Sequence, residues 1–295
     1  MAAVRVGMSG QVGLVPTMGG LHKGHVALLR AARRECSSVI ATLFVNPRQF
    51  ATAQVANDYP RNEEVDLSLF EAEGVDVAFV PSVEQIYPSA AGSEIRVSHV
   101  HGGLEGSSRP GHLDGVATVL TILFNVTRAD SAYFGQKDWE QTRLVQQLVR
   151  DLALGVDIRV VGTVRDSKGL ALGTRNGLLT TQGRRTAQVL WDALTAGASF
   201  WGAGERRAAT LEHVMRRQLA ARQGATVDYA AARDPMTLGP VSCQAEAVAL
   251  LIAVTIEGVR MIDNVILGYG LVDIDPSQLL GGDEPPGCEK DVANE

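Results

Sequence analysis

Apolar residues are grouped in two ways over the first 165 positions. Runs that stay apolar for several consecutive residues, rich in β-branched types, occur at 12–15, 39–45, 75–80, 131–134 and 158–161. Between them lie stretches of helical length at 25–34, 63–73, 116–128 and 139–152. A strand apolar on both faces needs cover on both faces, so the alternation predicts an α/β fold, a parallel sheet with helices on its two sides. In the last of the helical stretches Leu144, Leu148 and Leu152 stand four apart on one face, and the other face is polar.

Beyond Arg175 the pattern changes. Two long helical stretches, 181–201 and 205–223, precede apolar runs at 227–231, 247–254 and 259–265. The last two runs are joined by Thr255-Ile256-Glu257-Gly258, short enough to predict an antiparallel pair. The shift divides the chain into an α/β domain over residues 1–165 and a smaller α+β domain over 166–275. Residues 276–295 include the stretch GGDEPPGCEKDVANE, acidic and rich in Gly and Pro without apolar periodicity, and are expected to form a disordered tail.

Composition narrows the classes of function. With 45% hydrophobic and 20% charged residues, the 295-residue chain can bury substantial cores. Its 27 Lys+Arg against 33 Asp+Glu give −6, so no overall positive field draws it to nucleic acid or to anionic lipid. Cys36, Cys243 and Cys288 lie far apart, which fits neither a disulfide framework nor a zinc cluster and suggests a reducing compartment. The first residues lack the apolar core of a signal peptide, and no stretch is long enough to span a membrane. A cytoplasmic protein is expected.

Three segments carry candidate chemistry. The first, Val15-Pro16-Thr17-Met18-Gly19-Gly20-Leu21-His22-Lys23-Gly24-His25, follows a predicted strand and opens a predicted helix. There glycines let the backbone approach a ligand, and the helix start offers N–H groups to a phosphate that His22 and His25 can both face. The rival readings are two surface histidines or a zinc pair, the latter without a third ligand nearby. The second segment, Gly135-Gln136-Lys137-Asp138-Trp139-Glu140-Gln141, sits at another strand-to-helix turn, where Lys137 supplies a point charge for a polyphosphate or the Lys-Asp pair simply caps the helix. The third is Leu172-Gly173-Thr174-Arg175-Asn176, in which a hydroxyl and a guanidinium fork suit phosphate oxygens, although a plain turn would read the same. Asn46 and Gln49 in FVNPRQF, and the stretch Leu104 to His112, add unusual polar content.

Together these pieces resemble the pantothenate synthetase family, ligases that join pantoate to β-alanine using ATP. The likeness runs from about Val12 to Val265 through VPTMGxLHxGH, FVNPxQF, YPR, RPGH, FGxKDxxQ and an RMIDN-like ending, in the family's order. It implies a Rossmann-like nucleotidyltransferase domain closed over by a small second domain. By the same resemblance ATP lies against Met18, Gly19, Gly20, Leu21, His22, Lys23, Gly24 and His25, with His25 as proton donor. A second nucleotide segment is Gly135, Gln136, Lys137 and Asp138, with Lys137 on the phosphates and Val164 beside the adenine. The last is Leu172, Gly173, Thr174 and Arg175. Gln49 and Gln141 would read pantoate, with Asn46 and Phe134 walling its pocket. The resemblance further implies Mg2+, with Asp66 as its residue, and a homodimer.

The chain departs from the family pattern at a few places. Gly173-Thr174 stands where two serines are usual, so one hydroxyl is lost and one is kept, and Gly173 is a candidate for a backbone with positive φ. Val65 precedes Asp66 where two adjacent acids are usual, and Leu113-Asp114 follows RPGH where an aromatic is usual. Little length is left for the helix that normally precedes the first strand. Two other activities are compatible with these residues: a related ligase acting on another carboxylate and amine, and an adenylyltransferase sharing the HxGH element.

Overall fold

The structure, a computed structural model, describes residues 1–89, 92–97 and 104–269. A one-turn helix α1 (Ala2–Val6) does precede the first strand, with Arg5 reaching the carbonyl of Arg128 and the carboxylate of Asp130. The first half then runs β1 (Val12–Thr17), α2 (Lys23–Glu35), β2 (Ser38–Leu43), α3 (Ala53–Asn57), α4 (Glu63–Ala72), β3 (Val77–Phe79) and α5 (Val83–Ile86). It continues through α6 (Glu105–Ser108), α7 (His112–Thr127), β4 (Ser131–Gly135), α8 (Trp139–Asp151) and β5 (Asp157–Val161). The second half is α9 (Thr181–Ala187), α10 (Val189–Gly202), α11 (Ala208–Ala220), β6 (Ala225–Arg233), β7 (Val248–Ile256) and β8 (Val259–Leu267).

Five strands form an all-parallel sheet in the order β3-β2-β1-β4-β5, and three form a separate antiparallel sheet in the order β6-β7-β8. Because β2 lies on one side of β1 and β4 on the other, the chain reverses direction across the sheet between β1 and β4. Ligands in such sheets bind outside the carboxyl ends of the strands at this switch point. One core packs Leu14, Ile40, Ala132 and Phe134 of the sheet under α7 and α8. Another packs Val15, Ala41 and Tyr133 under α2 on the opposite face. The second sheet has its own core, built from α10, α11 and one face of β7.

Several boundaries differ from the sequence pattern for local reasons. The run 39–45 leaves the sheet after Leu43, and Phe44 to Gln49 form a turn in which the Asn46 side chain accepts the Arg48 N–H. Helix α7 begins four residues earlier than its apolar period, after Gly111 in a left-handed conformation with φ 79°. Leu152 lies past the end of α8 and is half-exposed, while Leu144 and Leu148 are buried as their spacing predicts. The stretch 181–201 is two helices that meet at Gln188. The Glu205 carboxylate accepts the backbone N–H groups of Arg206 and Arg207, and α11 starts only after them. Strands β7 and β8 are joined by Glu257 and Gly258, both with positive φ (51° and 77°), the combination a tight type I′ hairpin needs. The expected tail, and Cys288 within it, lies outside the described residues.

Candidate active site

The turn after β1 is shaped by Asp66 of α4, whose two carboxylate oxygens accept the N–H groups of Gly20 and Leu21, each at 2.8 Å. Gly19 and Gly20 have φ of 84° and 65°, and a Cβ on Gly20 would collide with Thr174 and with the Pro60 carbonyl. The turn therefore needs glycine both for its backbone angle and for the close approach of two other segments. It delivers His22 to the N-cap of α2, where His22 and His25 form a reciprocal capping box. Gly24 N–H donates to His22 Nδ1 at 3.0 Å, and His22 N–H donates to His25 Nδ1 at 3.2 Å. Each Nδ1 must hold a lone pair, so the proton of each neutral ring sits on Nε2.

Burial lowers the His22 pKa well below its ordinary value, helped by the nearby His25 and Lys137. Burial likewise lowers His25 to about 4, against the opposing pull of Asp66 and Asp138. Both rings are neutral at pH 7, so each presents a neutral Nε2–H and not an imidazolium.

These histidines line a cavity of about 300 Å³ at the carboxyl ends of β1 and β4. Of the residues singled out in the sequence, Met18, Gly24, Asn46, Gln49, Phe134, Gly135, Lys137, Asp138, Gln141, Val164, Leu172, Gly173, Thr174 and Arg175 line it as well. The histidines, Lys137 and Arg175 bring donors of hydrogen bonds and positive charge into it. The side-chain amides of Gln49 and Gln141 have no protein partner among the described residues.

Other expected residues sit elsewhere. Gly19, Gly20, Leu21 and Lys23 are not among the lining residues. Gln136 is buried and not among the lining residues, its Oε1 without a partner among the described residues. Asp66 lies behind the glycine turn, both oxygens engaged, and among the described residues no group of three His, Cys, Asp or Glu side chains is disposed to hold a metal ion. A protein-built magnesium cage does not fit these residues.

Two expected hydroxyl and amide roles are also altered. The Thr174 hydroxyl donates to the Gly20 carbonyl at 2.9 Å, which ties the third segment to the first. Gly173 is extended, with φ −160°, and a Cβ there would make ordinary contacts at 3.4 Å with Lys137 Cε and Asn176 Oδ1, so positive φ is not its reason. The Asn46 amide is largely engaged: it donates to the Gly115 carbonyl and accepts from the Tyr87 hydroxyl and the Arg48 N–H.

The cavity also contains residues to which the sequence pattern assigns no role. The Gln49 carbonyl accepts from Arg109 at 3.2 Å and from His112 Nδ1 at 2.9 Å, while Arg109 donates to His112 Nε2 at 3.0 Å. That bonding suits only a neutral ring, and burial lowers His112 to about 4. Glu140 of α8 accepts the N–H groups of Glu105 and Gly106, holding the start of α6, and burial pushes its carboxyl up to about 7. Glu105 in turn accepts from Tyr229 of β6 and Arg260 of β8. From β8 the neighbouring Asp263 and Asn264 also reach the cavity wall. The sequence signals for Arg109, His112, Arg260, Asp263 and Asn264 are the RPGH and RMIDN motifs, which mark positions without stating their partners, whereas Glu105, Glu140 and Tyr229 lie outside both motifs.

A parallel sheet with a glycine turn and a His-x-Gly-His helix start at its switch point, capped by a small antiparallel domain, defines a nucleotidyltransferase-type α/β enzyme. Residues 1–266 match the family model for pantoate-beta-alanine ligase, and the chain belongs to that family of ligases. It is 47% identical over 257 residues to a pantothenate synthetase of Chloroflexus aurantiacus, covering 87% of this chain and 92% of that relative. Pantothenate synthetase from Thermus thermophilus superposes with a TM-score of 0.85 at 40% identity, covering 90% of this chain and 96% of that one. A pantoate-beta-alanine ligase from Francisella tularensis, solved with beta-gamma ATP and beta-alanine, superposes with a TM-score of 0.73 at 30% identity, covering 90% and 94%.

Proposed function

We propose that this chain condenses pantoate with β-alanine through a pantoyl adenylate, releasing AMP and pyrophosphate. One observation carries the reading: a single cavity joins a side of phosphate-seeking donors, His22, His25, Lys137 and Arg175, to the amides of Gln49 and Gln141, which have no partner among the described residues. Amides read hydroxyl and carboxylate groups and add no charge for phosphate, which suits a hydroxy acid.

A carboxylate cannot acylate an amine at neutral pH because its leaving group is too basic. In the first step a pantoate oxygen attacks the α-phosphorus of ATP, and the bond from that phosphorus to the bridging oxygen breaks, releasing pyrophosphate. In the second the amine of β-alanine attacks the acyl carbon, the acyl–oxygen bond to AMP breaks, and the amine's surplus protons pass to solvent. The residues act by placing reactants and by donating to oxygens whose charge grows. The Nε2–H groups of His22 and His25 are preorganised donors whose direction the capping box fixes, and Lys137 and Arg175 neutralise the triphosphate. No residue forms a covalent bond to substrate. Magnesium enters this reading as a companion of the phosphates, which commonly supply its ligands together with water.

The small second domain serves as the lid over the adenylate, excluding water. Cys243 is a free, exposed thiol, which suits the reducing cytoplasmic location that accompanies this reading. The reading further carries a homodimer. Among the described residues no helix is long and apolar enough to cross a membrane. The test is turnover with ATP, pantoate and β-alanine: the ligase releases AMP and pyrophosphate together and only when both organic substrates are present. Pyrophosphate without AMP would indicate an adenylyltransferase. AMP release with a different acid or amine in preference to these would indicate a related ligase.

A further inference from the structure

Lys137 stands on a 3-10 turn, Gln136–Asp138, whose N-cap Gly135 has no side-chain cap bond. Its aim is set from the other domain. The side-chain nitrogen of Asn264 donates to the carbonyl of Gln136 at 3.0 Å and to that of Lys137 at 2.8 Å. Those carbonyls belong to the two peptide planes on either side of the Lys137 Cα, so tying both fixes the direction in which its Cβ leaves the backbone. The four-carbon stem then runs to Gly173, where a Cβ would lie 3.4 Å from Lys137 Cε.

Asn264 is itself held rigidly. It is 1% exposed and pairs with Leu251 of β7. Its N–H donates to Asp263 Oδ1 and its carbonyl accepts from Arg165, which is locked to Asp263 in a buried bidentate pair. Both amide hydrogens are committed, and Oδ1 has no partner among the described residues. An unpartnered buried acceptor is destabilising, so the side chain is placed here for its two donors at the expense of stability.

We propose that Asn264 is the positioning residue for Lys137, through which the second domain sets the direction of the phosphate-binding ammonium. The proposal rests on the reading of Lys137 given above. A lysine stem is flexible and is ordered only by what surrounds it, so releasing its backbone blurs the position of the charge.

The experiment is a double-mutant cycle on the full chain, reading ATP affinity by calorimetry and turnover by AMP release. Asn264→Ala is expected to lower kcat/KM for ATP about 10- to 100-fold, the range for a misplacement near 1 Å, while the KM for pantoate changes much less. In a Lys137→Ala background the same substitution should cost less than about threefold, because the group it positions is gone. Equal losses in both backgrounds, or equal effects on the two substrates' KM values, would overturn the assignment. Unchanged ATP affinity and turnover in Lys137→Ala alone would instead overturn the phosphate role of Lys137, and the proposal with it. If Asn264→Ala does not fold, Asn264→Ser, which keeps one donor, enters the same cycle with a smaller expected loss, and the same additivity criterion applies.

Discussion

His22 and His25 each cap the start of α2 and keep an Nε2–H, because the acceptor nitrogen of each ring is engaged by a backbone N–H of the turn that carries it. His25→Ala removes a preorganised Nε2–H and is expected to lower kcat by about 10²–10³. The lost cap costs about 1 kcal/mol, too little to unfold the chain, so near-UV circular dichroism of the variant should match the parent. Gly173 offers the opposite experiment. Its φ of −160° admits any side chain, and the Cβ position is open at ordinary contact distance beside Lys137. Gly173→Ser should therefore leave the melting temperature unchanged and tighten ATP binding by about 0.5–1.5 kcal/mol, read by calorimetry. A weakened affinity would show that the new hydroxyl competes for Lys137 instead of joining it.

Helices α6 and α8 meet through the Glu140 carboxylate, and this contact gives the protein an identifiable response to pH. The folded-state pKa of Glu140, raised to about 7 from 4.5, means that the folded chain binds more protons than the unfolded one between those values. Its contribution is therefore fully present below about pH 4.5 and is lost as the pH rises through 7. Glu140→Gln removes this loss, so the melting temperature of the variant relative to the parent should rise between pH 5 and pH 7.5, by about 2–4 °C for each kcal/mol recovered. The histidines run the other way. His25 and His112, lowered to about 4 from 6.5, support the fold above about 6.5 and withdraw that support as the pH falls toward 4. A relative melting temperature of Glu140→Gln that does not change with pH would show that its carboxyl titrates outside this window.

At the scale of the molecule, the second domain is joined to the segment leaving the parallel sheet by the Arg165–Asp263 pair, bidentate at 2.6 and 3.0 Å with side chains 7% and 1% exposed. Arg165 also stacks over Trp191, at 4.1 Å from the ring centroid. Removing one partner leaves a buried guanidinium uncompensated, and Asp263→Ala is expected to destabilise the protein by about 3–5 kcal/mol in denaturant unfolding. A change below about 1 kcal/mol would mean that water reaches the pair.

The strands and the order of α/β and α+β halves follow from the sequence because their causes are local, and the same reading marks the segments around His22, Lys137 and Arg175 that meet at one cavity. An apolar run with β-branched residues predicts a strand, although the edge strands β3 and β5 are only partly buried, and glycines before a histidine cap predict a turn that opens a helix. What local pattern cannot decide is which of two available partners a polar side chain takes. Asp66 is expected, by resemblance, beside magnesium, and only the packing of α4 beneath the glycine turn commits its oxygens to Gly20 and Leu21. Thr174 reads as a phosphate donor until the approach of Gly20 claims its hydroxyl. Asn264 and Lys137 are 127 positions apart, so no periodicity relates them. Their contact exists because β8 is brought against the turn that follows β4, a choice made by burial of two separate cores and recorded only in the folded chain.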